Sequence, residues 1–215
     1  ILVHTGPYWS VLVPAHSGPV YSLASTERLL LSGSDGEIRA WAWAELGRKG
    51  CRELWTRRPP CRSSLEVPEI NGLEVNQRVV TGPYWFQECS RPQLGKWIRC
   101  LATESDWMVC GGGPALTLWH LRSGTPTTVF GLAAPQHHAL FHQDLVLSGG
   151  VGPALHLLQL SGDVRGRVPV SPPALRSLCL HPRSPEHQVL TVAGNSPKID
   201  VFTNLGYRAF SLTFT

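Results

Sequence analysis

The residues best placed to hold a metal ion are His137, His138 and His142, since histidines four apart on a helix share one face and present two imidazole nitrogens to one point. On a strand and turn the same residues diverge. No Cys or carboxylate triplet joins them, and they read as surface or loop histidines. Gly111, Gly112 and Gly113 offer the bare backbone amides of a phosphate cradle. They lead through Pro114 into another alternating strand, however, so no helix N-terminus faces a phosphate and a hairpin turn is the better reading. The six cysteines, at 51, 61, 89, 100, 110 and 179, contain no C-x-x-C pair and no zinc spacing, which points to a reduced interior. The G-x-S-x-G, P-loop, H-E-x-x-H and dinucleotide-binding patterns are all missing. The expectation is a protein that is not an enzyme, with no catalytic, metal or cofactor site and no small-molecule substrate.

One cluster has a chemistry of its own. Arg48, Lys49, Arg52, Arg57, Arg58 and Arg62 crowd a short segment broken only by Glu53. Such a run is either a solvated blade edge or a basic ridge for RNA phosphates or an acidic partner, for which arginine's forked guanidinium is suited. The net charge of +4 assigns no partner by itself. Eight tryptophans invite a base-stacking reading, but Trp41, Trp107 and Trp119 fall at core-facing strand positions. Trp9 and Trp85, each inside a copy of Thr-Gly-Pro-Tyr-Trp, are freer to act as contact residues.

What must position these residues follows from composition and repetition. With 42% hydrophobic residues there is enough for a packed core, while Gly 21, Pro 18 and only 16% charged residues favour many short strands joined by turns. No run is long enough for a membrane helix, and the start Ile1-Leu2-Val3 has no signal character; the missing initiator Met suggests that the chain begins inside a longer parent. Four blocks align: Leu29 to Trp41, Trp107 to Trp119, Leu145 to Leu157 and Leu190 to Phe202. In each, a short apolar run reaches Gly, turns, and returns as an alternating strand whose large apolar residue stands eight positions after that Gly. The anchors Gly33, Gly111, Gly149 and Gly194 recur at about 40 residues, with one interval about twice that. Each block has an inner strand before it, such as Leu175 to Leu180, and two have a clear outer strand after, Arg52 to Thr56 and Thr127 to Phe130. Four short strands per repeat predict a β-propeller, with an antiparallel sandwich as the other all-β reading.

The first block resembles a WD repeat: His16 precedes the inner strand, and Ser32-Gly33-Ser34-Asp35-Gly36 leads to Trp41, with Ala42 where the family's Asp usually stands. The resemblance implies a hydrogen-bonded tetrad of His16, Ser32, Asp35 and Trp41. Such a network suits a buried site, where every polar group requires a partner. No acid matches Asp35 near Pro114, Pro153 or Ser196, so only the first blade is expected to hold the full tetrad. The predicted fold is therefore an incomplete all-β WD-repeat β-propeller of about four four-stranded blades plus a remnant. It forms a single domain over 1-215, with blades at 15-57, 96-131 and 134-170, a degenerate remnant at 58-95, and a blade with its closing strand at 174-215.

Longer phrases carry a second resemblance: His16 to Ser22, Glu66 to Asn71, Glu88 to Pro92, Thr103 to Arg122 and Val201 to Leu212. They resemble a WD-repeat subunit family of the THO/transcription-export complex. That resemblance implies a non-catalytic scaffold that couples mRNA processing to nuclear mRNA export, located in the nucleus, nuclear speckles included. Its partners would be other subunits of that complex, with weak RNA contact and no membrane. A seven-blade parent is implied, so this chain reads as a truncated or alternatively spliced form lacking the first blade and about two blades between Asn71 and Glu88. The competing function is a generic WD-repeat adaptor, such as a ubiquitin-ligase substrate receptor.

Overall fold

A computed structural model describes residues 2–6, 9–12, 15–46, 52–58, 73, 98–111, 115–181 and 189–214. The chain divides into two compact units, residues 1–75 and 76–215. The degenerate remnant expected at 58-95 lies outside the described residues, apart from Arg58 and Leu73.

In the first unit, β1 (Leu2–Gly6) and β2 (Trp9–Leu12) pair as an antiparallel hairpin. A four-stranded sheet follows, built from β3 (Ser22–Ser25), β4 (Leu29–Gly33), β5 (Ile38–Ala42) and β6 (Trp55–Arg57) in sequence order. The turn between β4 and β5 is closed by the Ser34 N–H on the Glu37 carbonyl, 3.1 Å. Gly36 occupies its left-handed position at φ 66°, where a side chain would be strained. A single helical turn, α1 (Trp43–Leu46), interrupts the expected passage from β5 to β6; Leu46 anchors it in the core, and the Trp43 indole donates to the Thr26 carbonyl.

The second unit repeats the same meander three times. Its sheets are β7 (Cys100–Glu104), β8 (Trp107–Gly111), β9 (Ala115–His120) and β10 (Thr125–Gly131); β11 (Gln136–His142), β12 (Leu145–Gly150), β13 (Ala154–Gln159) and β14 (Val164–Pro169); and β15 (Leu175–His181), β16 (Val189–Gly194), β17 (Lys198–Phe202) and β18 (Phe210–Thr213). Every pairing is antiparallel. Successive sheets pack face to face. Val109, Leu116, Leu118 and Phe130 of one sheet meet Ala139, Val146 and Leu158 of the next, and Leu147, Leu155 and Val168 on that sheet's other face meet Leu175, Leu190, Val192 and Phe202. The middle sheet of this unit thus shares a core with each of its two neighbours, which is how β-propeller blades bury strands too short to stand alone. The fold is all-β, a WD-repeat β-propeller with four four-stranded blades.

Strand register corrects one sequence alignment. Gly33, Gly111, Gly150 and Gly194 each end the second strand of their blade, and each lies opposite the start of the inner strand, at Ser22, Cys100, Gln136 and Leu175. In the third blade the structural anchor is therefore Gly150, not Gly149, and the buried apolar residue eight positions on is Leu158, not Leu157. Doubled Gly-Gly and Leu-Leu pairs make the two alignments indistinguishable in sequence. The close approach explains the residue type: a Cβ on Gly150 would stand 1.9 Å from the Pro135 carbonyl oxygen, and one on Gly194 2.0 Å from that of Ala174.

Candidate functional site

In the first blade the chain entering β3 carries His16 into the interior, where its side chain is 1% exposed. Its Nε2 lies 2.6 Å from Ser32 Oγ on β4, and its Nδ1 lies 2.9 Å from Glu37 Oε1. With Nδ1 donating to the carboxylate, Nε2 accepts the serine hydroxyl. The Trp41 ring, 2% exposed, meets the imidazole edge-on at a centroid separation of 6.2 Å. Of the four tetrad residues expected, the structure brings together His16, Ser32 and Trp41. Asp35 instead sits exposed at the corner of the turn, with its carboxylate against Gly18, and the acid bonded to His16 is Glu37. The turn geometry gives the reason: Asp35 occupies a corner of the Ser34–Glu37 turn, whereas Glu37 stands where the chain re-enters the sheet.

Glu37 is also the hub for the nearby arginines. Arg39 Nη2 and Nε lie 2.8 and 2.9 Å from Oε1, Arg58 Nη2 lies 3.6 Å from Oε2, and Arg39 Nη1 reaches Glu53 at 3.5 Å. Burial pushes the Glu37 carboxyl up, but the His16 hydrogen bond and the Arg39 guanidinium outweigh it and hold the group below the usual carboxylate range. Arg39 and Glu37 were not singled out from the sequence. Nothing in an isolated Glu-x-Arg spacing shows that both turn inward.

Of the basic cluster, Arg48, Lys49 and Arg62 lie outside the described residues. Arg52, Arg57 and Arg58 are exposed; Arg58 reaches back to Glu37, and Glu53 takes Arg39. Within the described part of the ridge, Arg58 is therefore drawn back toward the Glu37 hub. Trp55, 38% exposed, lies beside Arg57 and Arg58 in the chain.

The other blades close their interiors with different residues. In the third, buried Ser148 donates to Gln136 Oε1 at 2.7 Å, and Gln136 Nε2 donates to the Ala134 carbonyl. In the fourth, fully buried Asp200 accepts the Ser171 N–H and the Ser211 hydroxyl, both at 2.6 Å, and Arg208 Nη1 stands 3.5 Å away while also bonding Ser171 Oγ. Burial pushes the Asp200 carboxyl up, and the serine hydrogen bonds and Arg208 bring it below the ordinary value. Asp200 is a buried acid in the strand following the turn, where a search confined to the turn does not reach it.

Two of the three candidate metal-ligand histidines, His137 and His138, act as ties between blades. On the inner strand β11, His137 Nδ1 donates to the Leu175 carbonyl at 2.9 Å while its Nε2 faces Arg99 at 3.4 Å, linking three blades. His138 Nδ1 accepts the Leu178 N–H at 2.6 Å, and burial lowers its pKa, so the neutral acceptor form is favoured. His142 is buried at the end of β11, so these are inner-strand residues and not loop histidines. No group of His, Cys, Asp or Glu among the described residues could hold a metal ion. Cys100 and Cys110 are buried and Cys179 is exposed; burial pushes the Cys100 thiol up to about 12. Trp119 is buried like Trp41, whereas Trp107 is half-buried and edge-on to His120 at 5.2 Å. The side chain of Trp9 and all of Trp85 lie outside the described residues. No helix among the described residues is long and apolar enough to cross a membrane.

No family model matches the chain. A crystal structure of the computationally designed Ika8 protein superposes with a TM-score of 0.63 over 94% of this chain and 64% of that one, less than two thirds of its length; at 16% identity this likeness concerns the fold alone. The human protein named THO complex subunit 6 is 47% identical over 272 residues, covering 95% of this chain and 80% of its own. The mouse homologue is likewise 47% identical and covers 80% of its own length, and the zebrafish homologue is 41% identical and covers 82%. The aligned span of 272 residues exceeds the 215 residues of this chain, so the human relative carries residues within that span that have no counterpart here. The chain belongs to the THO complex subunit 6 family.

Proposed function

We propose that this chain is a non-catalytic WD-repeat scaffold of a THO/transcription-export complex, working in the nucleus and its speckles to couple mRNA processing to mRNA export. The observation that carries the reading is the identity of 47% over 95% of the chain to a protein named as a subunit of the THO complex. The polar clusters fit it: His16, Glu37, Gln136 and Asp200 spend their hydrogen bonds on blade neighbours, as framework groups do. RNA contact, in this reading, is weak and salt-sensitive and centres on Arg48, Lys49, Arg52, Arg57, Arg58 and Arg62, with Trp55 as a stacking face.

The test is recovery of THO subunits from nuclear extract with a tagged chain. Three baits are compared: the unaltered chain, the chain with Arg57→Glu and Arg58→Glu, and the chain lacking the blades after Trp97. Subunits lost only with the deletion, and crosslinked RNA lost only with the charge reversal, are expected. Recovery of a ubiquitin-ligase adaptor in place of THO subunits would move the assignment to the adaptor class.

A further inference from the structure

The third blade ends in an edge strand with two unlike faces. In the sheet order β11-β12-β13-β14, β14 is outermost and, among the described residues, pairs only on its β13 side. The Val170 N–H bonds inward to the Pro153 carbonyl at 3.0 Å, so by antiparallel alternation the backbone N–H and carbonyl of Arg167 point outward along the free edge. Side chains alternate from Gly166 onward: Val168 and Val170 turn toward the fourth blade and Arg167 to the opposite face, while Arg165, also exposed, sits in the β-bulge where the Leu157–Gly166 pairing gives way to Leu158–Val164. Neither arginine has a carboxylate within ion-pair reach among the described residues.

On the apolar side, Val168, Pro169, Val170, Gly206, Tyr207 and Arg208 line a cavity of about 310 Å³. Tyr207 is 61% exposed at its mouth. Arg208 is tethered inward to Asp200 and Ser171, so its charge is already matched and it serves as a fixed wall. The uncompensated charge of this edge therefore belongs to Arg165 and Arg167.

We propose that the outer edge of β14 docks an extended acidic segment of a partner protein. The segment adds to the sheet as a further strand, its acidic side chains over Arg165 and Arg167 and an alternate apolar side chain in the cavity beside Tyr207. Main-chain pairing supplies affinity in such strand addition, and the alternating side chains supply selectivity. A nucleic acid would use the two arginines but neither the outward backbone groups of Arg167 nor the cavity beside Tyr207. The inference rests on the scaffold reading for the kind of partner, a protein, and adds the place and chemistry of its contact.

The experiment uses the purified full chain and a fluorescent peptide of sequence Glu-Leu-Glu-Val-Asp-Ile-Glu, read by anisotropy and by hydrogen exchange at the Arg167 amide. Binding with slowed exchange is expected, weakened about tenfold or more by R165E/R167E and, independently, by Tyr207→Ala. Arg52→Glu with Arg57→Glu should leave it unchanged, as should an excess of oligouridylate. All these positions are exposed, and a thermal melt checks that each variant is folded. Absence of binding, equal binding by a peptide with Ser at its apolar positions, binding that survives the β14 reversal, or displacement by oligouridylate would each overturn the proposal. Undiminished recovery of THO subunits by R165E/R167E would leave the scaffold reading standing without this site; recovery of none by the unaltered chain would remove the scaffold reading itself.

Discussion

The Glu37 carboxylate stands 2.9 Å from Nδ1 of the buried His16. This contact turns a surface turn into part of the first blade's interior, and its value depends on charge. Because the Glu37 pKa is lowered in the folded chain, its contribution is present above the ordinary carboxylate range and is lost as pH falls through the folded value. Glu37→Gln should cost about 1.5 to 3 kcal/mol at pH 7, the range for hydrogen bonds to charged groups. Urea titrations of both proteins from pH 7 to 3 should converge at the acid end; a pH-independent gap would show that shape and not charge holds the site.

Trp41 fills more of the same interior than any other side chain in the network. Trp41→Ala should destabilise by about 3 to 5 kcal/mol through lost burial and a cavity. His120, half-exposed on β9 beside Trp107 and Ser123, should tolerate replacement far better. Equal shifts in the thermal melts of the two variants would place the weight of the fold elsewhere.

Two glycines separate close approach from mere location in a strand. A Cβ on Gly194 would collide with the Ala174 carbonyl at 2.0 Å, whereas one on Gly131 would meet nothing within 4 Å. Gly194→Ala should cost at least about 1 to 3 kcal/mol by overpacking, and Gly131→Ala should be near neutral. Chemical denaturation of the pair measures the difference directly.

His138 makes the inner strands acid-sensitive. Its folded pKa is lowered by burial from the ordinary 6.5, and its Nδ1 accepts the Leu178 N–H. Below that ordinary value the unfolded chain binds the proton first, so stability falls with pH until the folded histidine is protonated too, by at most about 1.4 kcal/mol per pH unit. His138→Gln should flatten this part of the stability curve. An unchanged slope would assign the acid response to other histidines.

Repetition made the blades legible, because the Gly-to-apolar interval reports a hairpin whatever residues fill it. Trp41 and Phe202 were found this way, and both are buried. The polar interior was less legible. Asp35 and Glu37 flank the same glycine, and only the closed turn decides which of them faces His16. His137 and His138 read as surface residues because their partners, the backbone of Leu175 and Leu178, are supplied by another blade. Such long-range backbone contacts leave no mark on local spacing.

The doubled Gly149-Gly150 and Leu157-Leu158 pairs have a consequence for how this blade evolves. A single-residue insertion or deletion in the hairpin between β12 and β13 ordinarily turns every side chain of a strand to the wrong face. Here a one-residue slide replaces glycine by glycine at the tight approach to Pro135 and leucine by leucine in the core. The slide would nonetheless carry Ser148 away from Gln136 in one direction, or bring Val151 against the Pro135 carbonyl in the other, so the doubled pairs cushion two positions without freeing the register. Among orthologues, hairpin length should therefore stay fixed in the third blade as in the first.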